Sequence, residues 1–404
     1  MRYYLIAGEA SGDLHASNLM KSLKRTDPEA EFRFRGGDLM AAVGGTLVRH
    51  YKEGAVMGFG DVLSKGFKLL SDLDACKKDI LDWKPDAVIL IDYPGFNLKI
   101  AKFAHKKGIK VFYYIAPKTW ASRSGRNKAL KKYVDMLYIV FPFEVPYFTE
   151  HGVPFVYKGN PLVEAVSRTR FGTVCDGRYV AILPGSRKGE ISRMMPVCME
   201  VADQLHKLRA YRDIKFIVAG APSRSKEDYA PYLKGRERYV RLVFGKTYSV
   251  LKGAEAAIVN SGTASLEAAL IGTPQLVGWS TSPVTIFIAK HILKVGSHVK
   301  YISLGNLIVD RPVFREFIQD DFNPASVRGE LLQLLDDEFY RKRMIQGYDE
   351  IRNALGGGSA SRSVARDMFI RLGGKIVRRS PNPKGRPRRK KAVAAPAPEP
   401  TANS

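Results

Sequence analysis

Four stretches of the chain carry more polar chemistry than a turn requires. The first is Ala7-Gly8-Glu9-Ala10-Ser11-Gly12-Asp13-Leu14-His15. It follows the apolar run Tyr3-Tyr4-Leu5-Ile6 and precedes helical spacing from Ala16 to Leu23, so it reads as a strand-to-helix turn. Gly8 and Gly12 let the backbone turn tightly and approach a ligand. Capping would account for Ser11 or Asp13, but it explains one polar residue and not Glu9, Ser11, Asp13 and His15 together. Two carboxylates repel a phosphate; they suit hydroxyls, such as those of a sugar.

The second stretch, Ile89-Leu90-Ile91-Asp92-Tyr93-Pro94-Gly95-Phe96-Asn97, ends another apolar run. Asp92 stands at the carboxyl end of that strand. Pro94 fits the first turn of the next helix, and Asn97 lies in that turn. A carboxylate at a sheet edge is well placed to act as a general base; capping free helix amides is the competing role for the same residue type.

The third stretch, Ile182-Leu183-Pro184-Gly185-Ser186-Arg187-Lys188-Gly189-Glu190-Ile191, repeats the strand–Gly–helix design with cationic groups. Gly185 and Ser186 can present amides, and the helix start adds partial positive charge. Arg187 supplies a fork that matches phosphate. A diphosphate is the natural ligand, and a plain surface turn is the alternative. The fourth stretch, Val259-Asn260-Ser261-Gly262-Thr263-Ala264-Ser265-Leu266-Glu267, is another such turn. Ser261, Gly262, Thr263 and Ala264 would offer amides at a helix start, and Glu267 could reach a ribose diol. Alternatively, Glu267 bonds back to close a capping box or is simply solvated.

These turns need strands to hold them. Apolar runs place strands at Tyr3–Ala7, Glu31–Arg35, Ala87–Ile91, 110–115 and 136–140, with helical patterns between, including one from about Ser64 to Trp83. The pattern begins again with strands at Tyr179–Leu183, 215–219, 241–244, 256–259 and 275–277, and helices at 191–208, Thr263–Ile271 and 284–293. Alternation of this kind gives a parallel sheet covered by helices on both faces. The expected fold is therefore α/β, two doubly wound Rossmann-like domains facing across a cleft, followed by C-terminal helices. Residues 1–165 form the first unit, 166–355 the second, 356–373 a last helix, and 374–404 a disordered basic, Pro/Ala-rich tail.

The chain has 404 residues, an apolar fraction of 45% and a net charge of +25. The tail from Lys375 onward holds nine Lys/Arg and one acid, Glu399, so the body is strongly basic as well. That favours an anionic partner: phosphorylated substrate, acidic lipid or nucleic acid. Pro383-Lys384-Gly385-Arg386-Pro387-Arg388-Arg389 is AT-hook-like, but a solvated or membrane-surface tail is the reading preferred over DNA binding. Cys76, Cys175 and Cys198 are scattered, without metal spacing, and read as cytosolic thiols. No P-loop, HExxH, paired CxxC or GxGxxG occurs, and the histidines lack ligand spacing, so no metal or other cofactor is implied. Two stretches, 56–70 and 284–294, mix Phe, Leu and Ile with Lys; periodicity alone favours core packing over a membrane surface.

In order along the chain, Ala7–Asp13, Met57-Gly58-Phe59, Asp92–Asn97, Tyr113-Tyr114-Ile115-Ala116-Pro117, Phe141-Pro142-Phe143-Glu144, Leu183–Arg187, Ser261–Glu267 and Leu304-Gly305-Asn306 resemble the motifs of the lipid-A-disaccharide synthase family, bacterial glycosyltransferases of GT-B fold. The resemblance spans about residues 2 to 372. It implies transfer of a 2,3-diacylglucosamine from UDP to 2,3-diacylglucosamine 1-phosphate (lipid X), giving a β-1,6 disaccharide with inversion. Asp92 is then the base, with Glu9 and Asn97 in the catalytic set. Ser11, Gly12, Asp13, Gly185, Ser186, Arg187, Glu190, Asn260, Ser261, Gly262, Thr263, Ala264, Ser265, Glu267 and Asn306 hold the substrates. Val56, Met57, Phe59, Val62, Leu63, Phe67, Leu69 and Leu70 become the membrane-facing, acyl-accepting segment, against the periodicity. The implied partners are UDP-diacylglucosamine, lipid X and the anionic cytoplasmic face of an inner membrane, where the protein would be peripheral. Ala116, Lys118, Asn160 and Arg315 depart from the family pattern of Ser, Gln, His and Pro at these places.

Overall fold

The computed structural model describes residues 1–55, 62–120, 124–281 and 300–376. Two sheets form the frame. The first contains β1 (Arg2–Ala7), β2 (Glu31–Gly36), β3 (Thr46–His50), β4 (Ala87–Ile91), β5 (Lys110–Tyr114), β6 (Met136–Ile139) and β7 (Phe155–Tyr157), in the spatial order β3-β2-β1-β4-β5-β6-β7. The second contains β8 (Tyr179–Leu183), β9 (Lys215–Gly220), β10 (Val240–Phe244), β11 (Ala256–Asn260), β12 (Gln275–Trp279) and β13 (Glu316–Ile318), in the order β10-β9-β8-β11-β12-β13. Every strand pairing among the described residues is parallel.

The central strands are apolar throughout because both faces are covered. All five residues of β4 are fully buried, and those of β8 are at most 5% exposed. Each buried Ile or Leu contributes roughly 2 kcal/mol. Around the first sheet, the helices Val62–Trp83, Pro94–Lys106 and Arg126–Tyr133 cover one face through Leu73, Cys76, Ile80, Phe96, Ile100 and Leu130. Ala10–Thr26 covers the other through Ala16, Leu19, Met20 and Leu23.

Both sheets reverse strand order at their centre, between β1 and β4 and between β8 and β11. The crevice outside the carboxyl ends of the strands at such a reversal is where open α/β sheets bind ligands. All four chemistry-bearing stretches follow these four strands. The expected helix Ser64–Trp83 is present as Val62–Trp83, and Thr263–Ile271 has its expected bounds. Three edge strands, β3, β7 and β13, lay outside the sequence expectation.

After the second sheet come Pro324–Asp336, Glu338–Leu355 and Ala360–Arg371. The last of these returns to the first unit and packs on Ala10–Thr26. Tyr138 donates its hydroxyl to Asp367 at 2.8 Å, and the Ser361 amide donates to Glu164 at 2.9 Å. Asn160, the departure before Pro161, caps the helix Pro161–Ser167 by accepting the Leu162 amide at 2.8 Å, and it donates to the Val140 carbonyl at 2.9 Å.

Of the segment expected to face a membrane, Val56, Met57 and Phe59 lie outside the described residues, as do the side chains of Val62, Leu63 and Phe67; so does the stretch 284–294. Leu69 and Leu70 are 37% and 54% exposed. Among the described residues no helix is long and apolar enough to cross a membrane.

Candidate active site

β4 delivers Asp92 to the crevice in an unusual backbone. Asp92 (φ 43°) and Tyr93 (φ 48°) are both left-handed, at a cost of order 1–3 kcal/mol each. The surroundings enforce that conformation. Asn97, fully buried, donates from Nδ2 to the carbonyls of Asp92 at 2.8 Å and Ile91 at 3.2 Å. The Tyr113 hydroxyl donates to the same Asp92 carbonyl at 2.5 Å. The Tyr93 ring stacks on Phe96 with centroids 5.6 Å apart and lies against Gly8, where any Cβ would overlap it. Gly8 is thus required by the close approach of the Tyr93 ring.

Charges from both units converge on the Asp92 carboxylate. Burial pushes its pKa above the ordinary carboxylate value, and Glu9 adds to the rise. Lys118, the Tyr93 amide and Arg187 pull it back. Lys118 follows β5, Glu9 follows β1 and Arg187 follows β8. Arg187 reaches across the cleft to within 3.7 Å of Glu9; both side chains are largely exposed. A carboxylate made more basic by burial, with cations beside it, suits deprotonation of a hydroxyl.

The cationic turn after β8 differs from the sequence expectation. Glu190, expected among the substrate ligands, folds back, and its Oε2 accepts the amides of Ser186 at 2.9 Å and Arg187 at 3.1 Å. Those amides are therefore not open to a diphosphate while Glu190 holds them. Gly185 (φ 104°) is packed so closely against Glu190 and Asn260 that a side chain would clash with both. The exposed cations of this turn are Arg187, which also pairs with Glu190 at 3.3 Å, and Lys188, which pairs with Asp228 at 3.3 Å.

The turn after β11 keeps an open helix start. Gly262 is the N-cap of Thr263–Ile271 and places no side chain over the first amides. Thr263 is exposed and Ala264 half-buried. Ser261 is spent on the scaffold: its amide donates to Gly278 at 3.0 Å and its hydroxyl to the Ile302 carbonyl at 2.8 Å. Ser265 is fully buried and bonds the Gly262 carbonyl at 2.8 Å. Asn260 is 6% exposed. Glu267 makes no capping box; it accepts the Tyr248 hydroxyl at 2.9 Å, and burial raises its pKa.

Four further expectations are corrected. Asp13 is 2% exposed, and its carboxylate takes the amides of Gly37 (2.9 Å), Leu39 (3.0 Å) and Met40 (3.1 Å), capping the short helix Asp38–Ala41. Gly12 is buried where a Cβ would stand 3.3 Å from that of Ala7, so it serves helix–strand packing. Asn306 is 1% exposed and consumed by Phe314 O (2.9 Å), Glu316 (2.8 Å) and the Val313 amide (2.8 Å). Asn97 likewise acts on the Asp92 backbone rather than on substrate. Ser11 is exposed beside Glu9. His15 is buried, which lowers its pKa to about 4 and keeps the ring neutral.

Two supporting carboxylates, to which the sequence assigned no role in the site, complete it. Glu144, 1% exposed, accepts the amides of Val140 and Phe141 at 3.0 Å each and Trp120 Nε1 at 3.3 Å; burial pushes it up to about 7. Glu316 gathers Ile302 N at 2.8 Å, Ser303 N at 3.0 Å and Asn306, pinning the segment that Ser261 bonds. Among the described residues no group of three His, Cys, Asp or Glu side chains is placed to hold a metal ion.

Comparison with known proteins gives the family and the fold. A family model described as lipid-A-disaccharide synthetase matches residues 3–365. A lipid-A-disaccharide synthase of Trichlorobacter lovleyi is 36% identical over 372 residues, covering 90% of this chain and 96% of that protein. One of Geobacter metallireducens is 37% identical over 382 residues, covering 93% and 98%. Among solved structures, an S. aureus MnaA–UDP co-structure superposes with a TM-score of 0.66 at 14% identity, covering 95% of this chain and 100% of that one. The calicheamicin glycosyltransferase CalG4 gives 0.56 at 16% identity, covering 93% and 99%. The structural likenesses establish a two-domain α/β fold of the GT-B glycosyltransferase and epimerase kind; the sequence matches establish more. The chain belongs to the lipid-A-disaccharide synthase family.

Proposed function

We propose that the chain condenses UDP-2,3-diacylglucosamine with 2,3-diacylglucosamine 1-phosphate, releasing UDP and the β-1,6 disaccharide 1-phosphate. Family membership supports the reaction class. The observation that supports the mechanism is Asp92, held in a left-handed backbone at the strand reversal with charges from both units around it. Asp92 accepts the proton of the acceptor hydroxyl as its oxygen attacks the anomeric carbon. The bond from that carbon to the diphosphate breaks on the opposite face, and its electron pair leaves with UDP. Arg187 and the open start of Thr263–Ile271 meet the departing negative charge. Arg187 must first leave Glu9, at 3.7 Å, and Glu190, at 3.3 Å; its guanidinium is largely exposed, so both pairs are weak and the diphosphate displaces them at little cost. Glu9 and Ser11 then face the acceptor hydroxyls.

The protein would work as a peripheral enzyme on the cytoplasmic face of a membrane, with the helix that exposes Leu69 and Leu70 toward the lipid. The test is turnover of the two substrates in detergent, with and without chelator, for wild type and Asp92→Asn. Disaccharide formation by wild type, lost in Asp92→Asn while UDP binding persists, is expected. Wild-type-like turnover by the variant would remove Asp92 as the base.

A further inference from the structure

Two neighbouring helices on the first unit expose lysine and no acid. Pro94–Lys106 and Arg126–Tyr133 pack against each other, and neither contains Asp or Glu. Their outer faces present Lys99, Lys102, Lys106, Lys128, Lys131 and Lys132, all exposed. Among the described residues none of the six has an ion-pair partner. Asp135, just beyond the second helix, is already taken by Lys110 at 2.9 Å and the Val111 amide at 2.9 Å.

We propose that this two-helix face is a docking surface for anionic lipid headgroups. Two observations favour a bilayer over a nucleic acid. The adjoining helix Val62–Trp83, on the same side of the sheet, exposes Leu69 and Leu70, which a lipid interface would cover. The cations are lysines, point charges on flexible stems, where bidentate reading of phosphates favours arginine. Such stems lay their methylenes along an apolar surface while the charge stays in the headgroup layer. The proposal also rests on the functional reading above, in which both substrates are lipids held in a bilayer.

The charge is independent of the basic tail, and the experiment keeps the two apart. Full-length protein is floated with vesicles of phosphatidylcholine alone and of equal parts phosphatidylcholine and phosphatidylglycerol. The comparison is between wild type, a variant with Lys102→Gln, Lys106→Gln, Lys131→Gln and Lys132→Gln, and one in which the Lys and Arg residues from 378 to 391 are Gln. At about 1 kcal/mol for each lysine near an anionic surface, the helix variant should lose 100-fold or more in partitioning to the anionic vesicles, and wild-type binding should fall with added salt. Turnover of detergent-dispersed substrate should stay unchanged in that variant. Partitioning of the helix variant within about twofold of wild type, or loss of all anionic-vesicle binding in the tail variant alone, would overturn the proposal. Preference of wild type for oligonucleotide over anionic vesicles would overturn it as well. Vesicle binding needs no substrate, so a wild type that binds but does not turn over would refute the reaction and leave the surface standing.

Discussion

Replacing Asn97 by Ala tests whether a buried amide sets the geometry of the base. The Asn97 side chain is fully buried and touches no open cleft. It donates to the carbonyls of Asp92 and Ile91, and at 3.5 Å to that of Ile6. Ala leaves those carbonyls with one partner fewer. An unsatisfied buried carbonyl costs about 1–3 kcal/mol, and the lost side chain leaves a small void. The variant should therefore be less stable by about 2–4 kcal/mol. Asp92 and Tyr93 then hold their left-handed conformation with the Tyr113 hydroxyl alone. If one hydrogen bond of positioning, about 1.5–3 kcal/mol, is lost at the transition state, kcat falls roughly 10- to 100-fold. KM for the UDP-sugar should hold, because the second unit is untouched. The assay is denaturant unfolding together with steady-state kinetics on the same preparation. A stability loss of the expected size with wild-type kcat would refute the claim that Asn97 positions the base. A kcat loss as deep as that of Asp92→Asn would refute its indirect role.

Two predictions concern pH. Lys118 is the first cation lowering the Asp92 pKa, so Lys118→Gln should move the acid limb of kcat/KM to higher pH, since a carboxylate without that cation is harder to ionise; an unmoved or lowered limb in the pH–rate profile would contradict it. Glu144 titrates near 7 when folded against 4.5 as an ordinary carboxyl. The native state binds the extra proton, so this contribution is full below the unfolded value and is lost as pH rises through about 7, up to roughly 3 kcal/mol. Glu144→Gln should flatten the stability profile across that window in thermal melts at a series of pH values, and a slope equal to wild type would count against the assignment.

Legibility in the sequence followed burial. β4 and β8 read plainly because strands covered on both faces become unbroken apolar runs. β3, β7 and β13 did not, because each is a sheet edge, three to five residues long and only partly buried. Asp92 was legible because its placement depends on the strand it ends. Which polar residues turn inward was not, because the partners are remote. Asp13 is claimed by amides 24 to 27 residues away, and Asn306 by a strand edge that carried no sequence signal. The capping box weighed for Glu267 has its nearest counterpart at Glu190, three residues after Arg187. No local pattern distinguished the two: each is a Glu near the start of a helix after a Gly turn, and only Glu267 has Tyr248 within reach.

The helix Ala360–Arg371 closes the first unit from the far end of the chain. During synthesis its partner helix, Ala10–Thr26, leaves the ribosome roughly 330 residues earlier, some 15–70 s at ordinary translation rates. Throughout that interval the first unit lacks a wall, and Ala16, Leu19, Met20 and Leu23 wait for the side chains of Val364, Ala365 and Met368. The second unit, whose strands lie in one uninterrupted span, can finish while the first stays open. Completion of the first unit therefore waits for the last helix to be made, and until then the apolar face of Ala10–Thr26 lacks its partner.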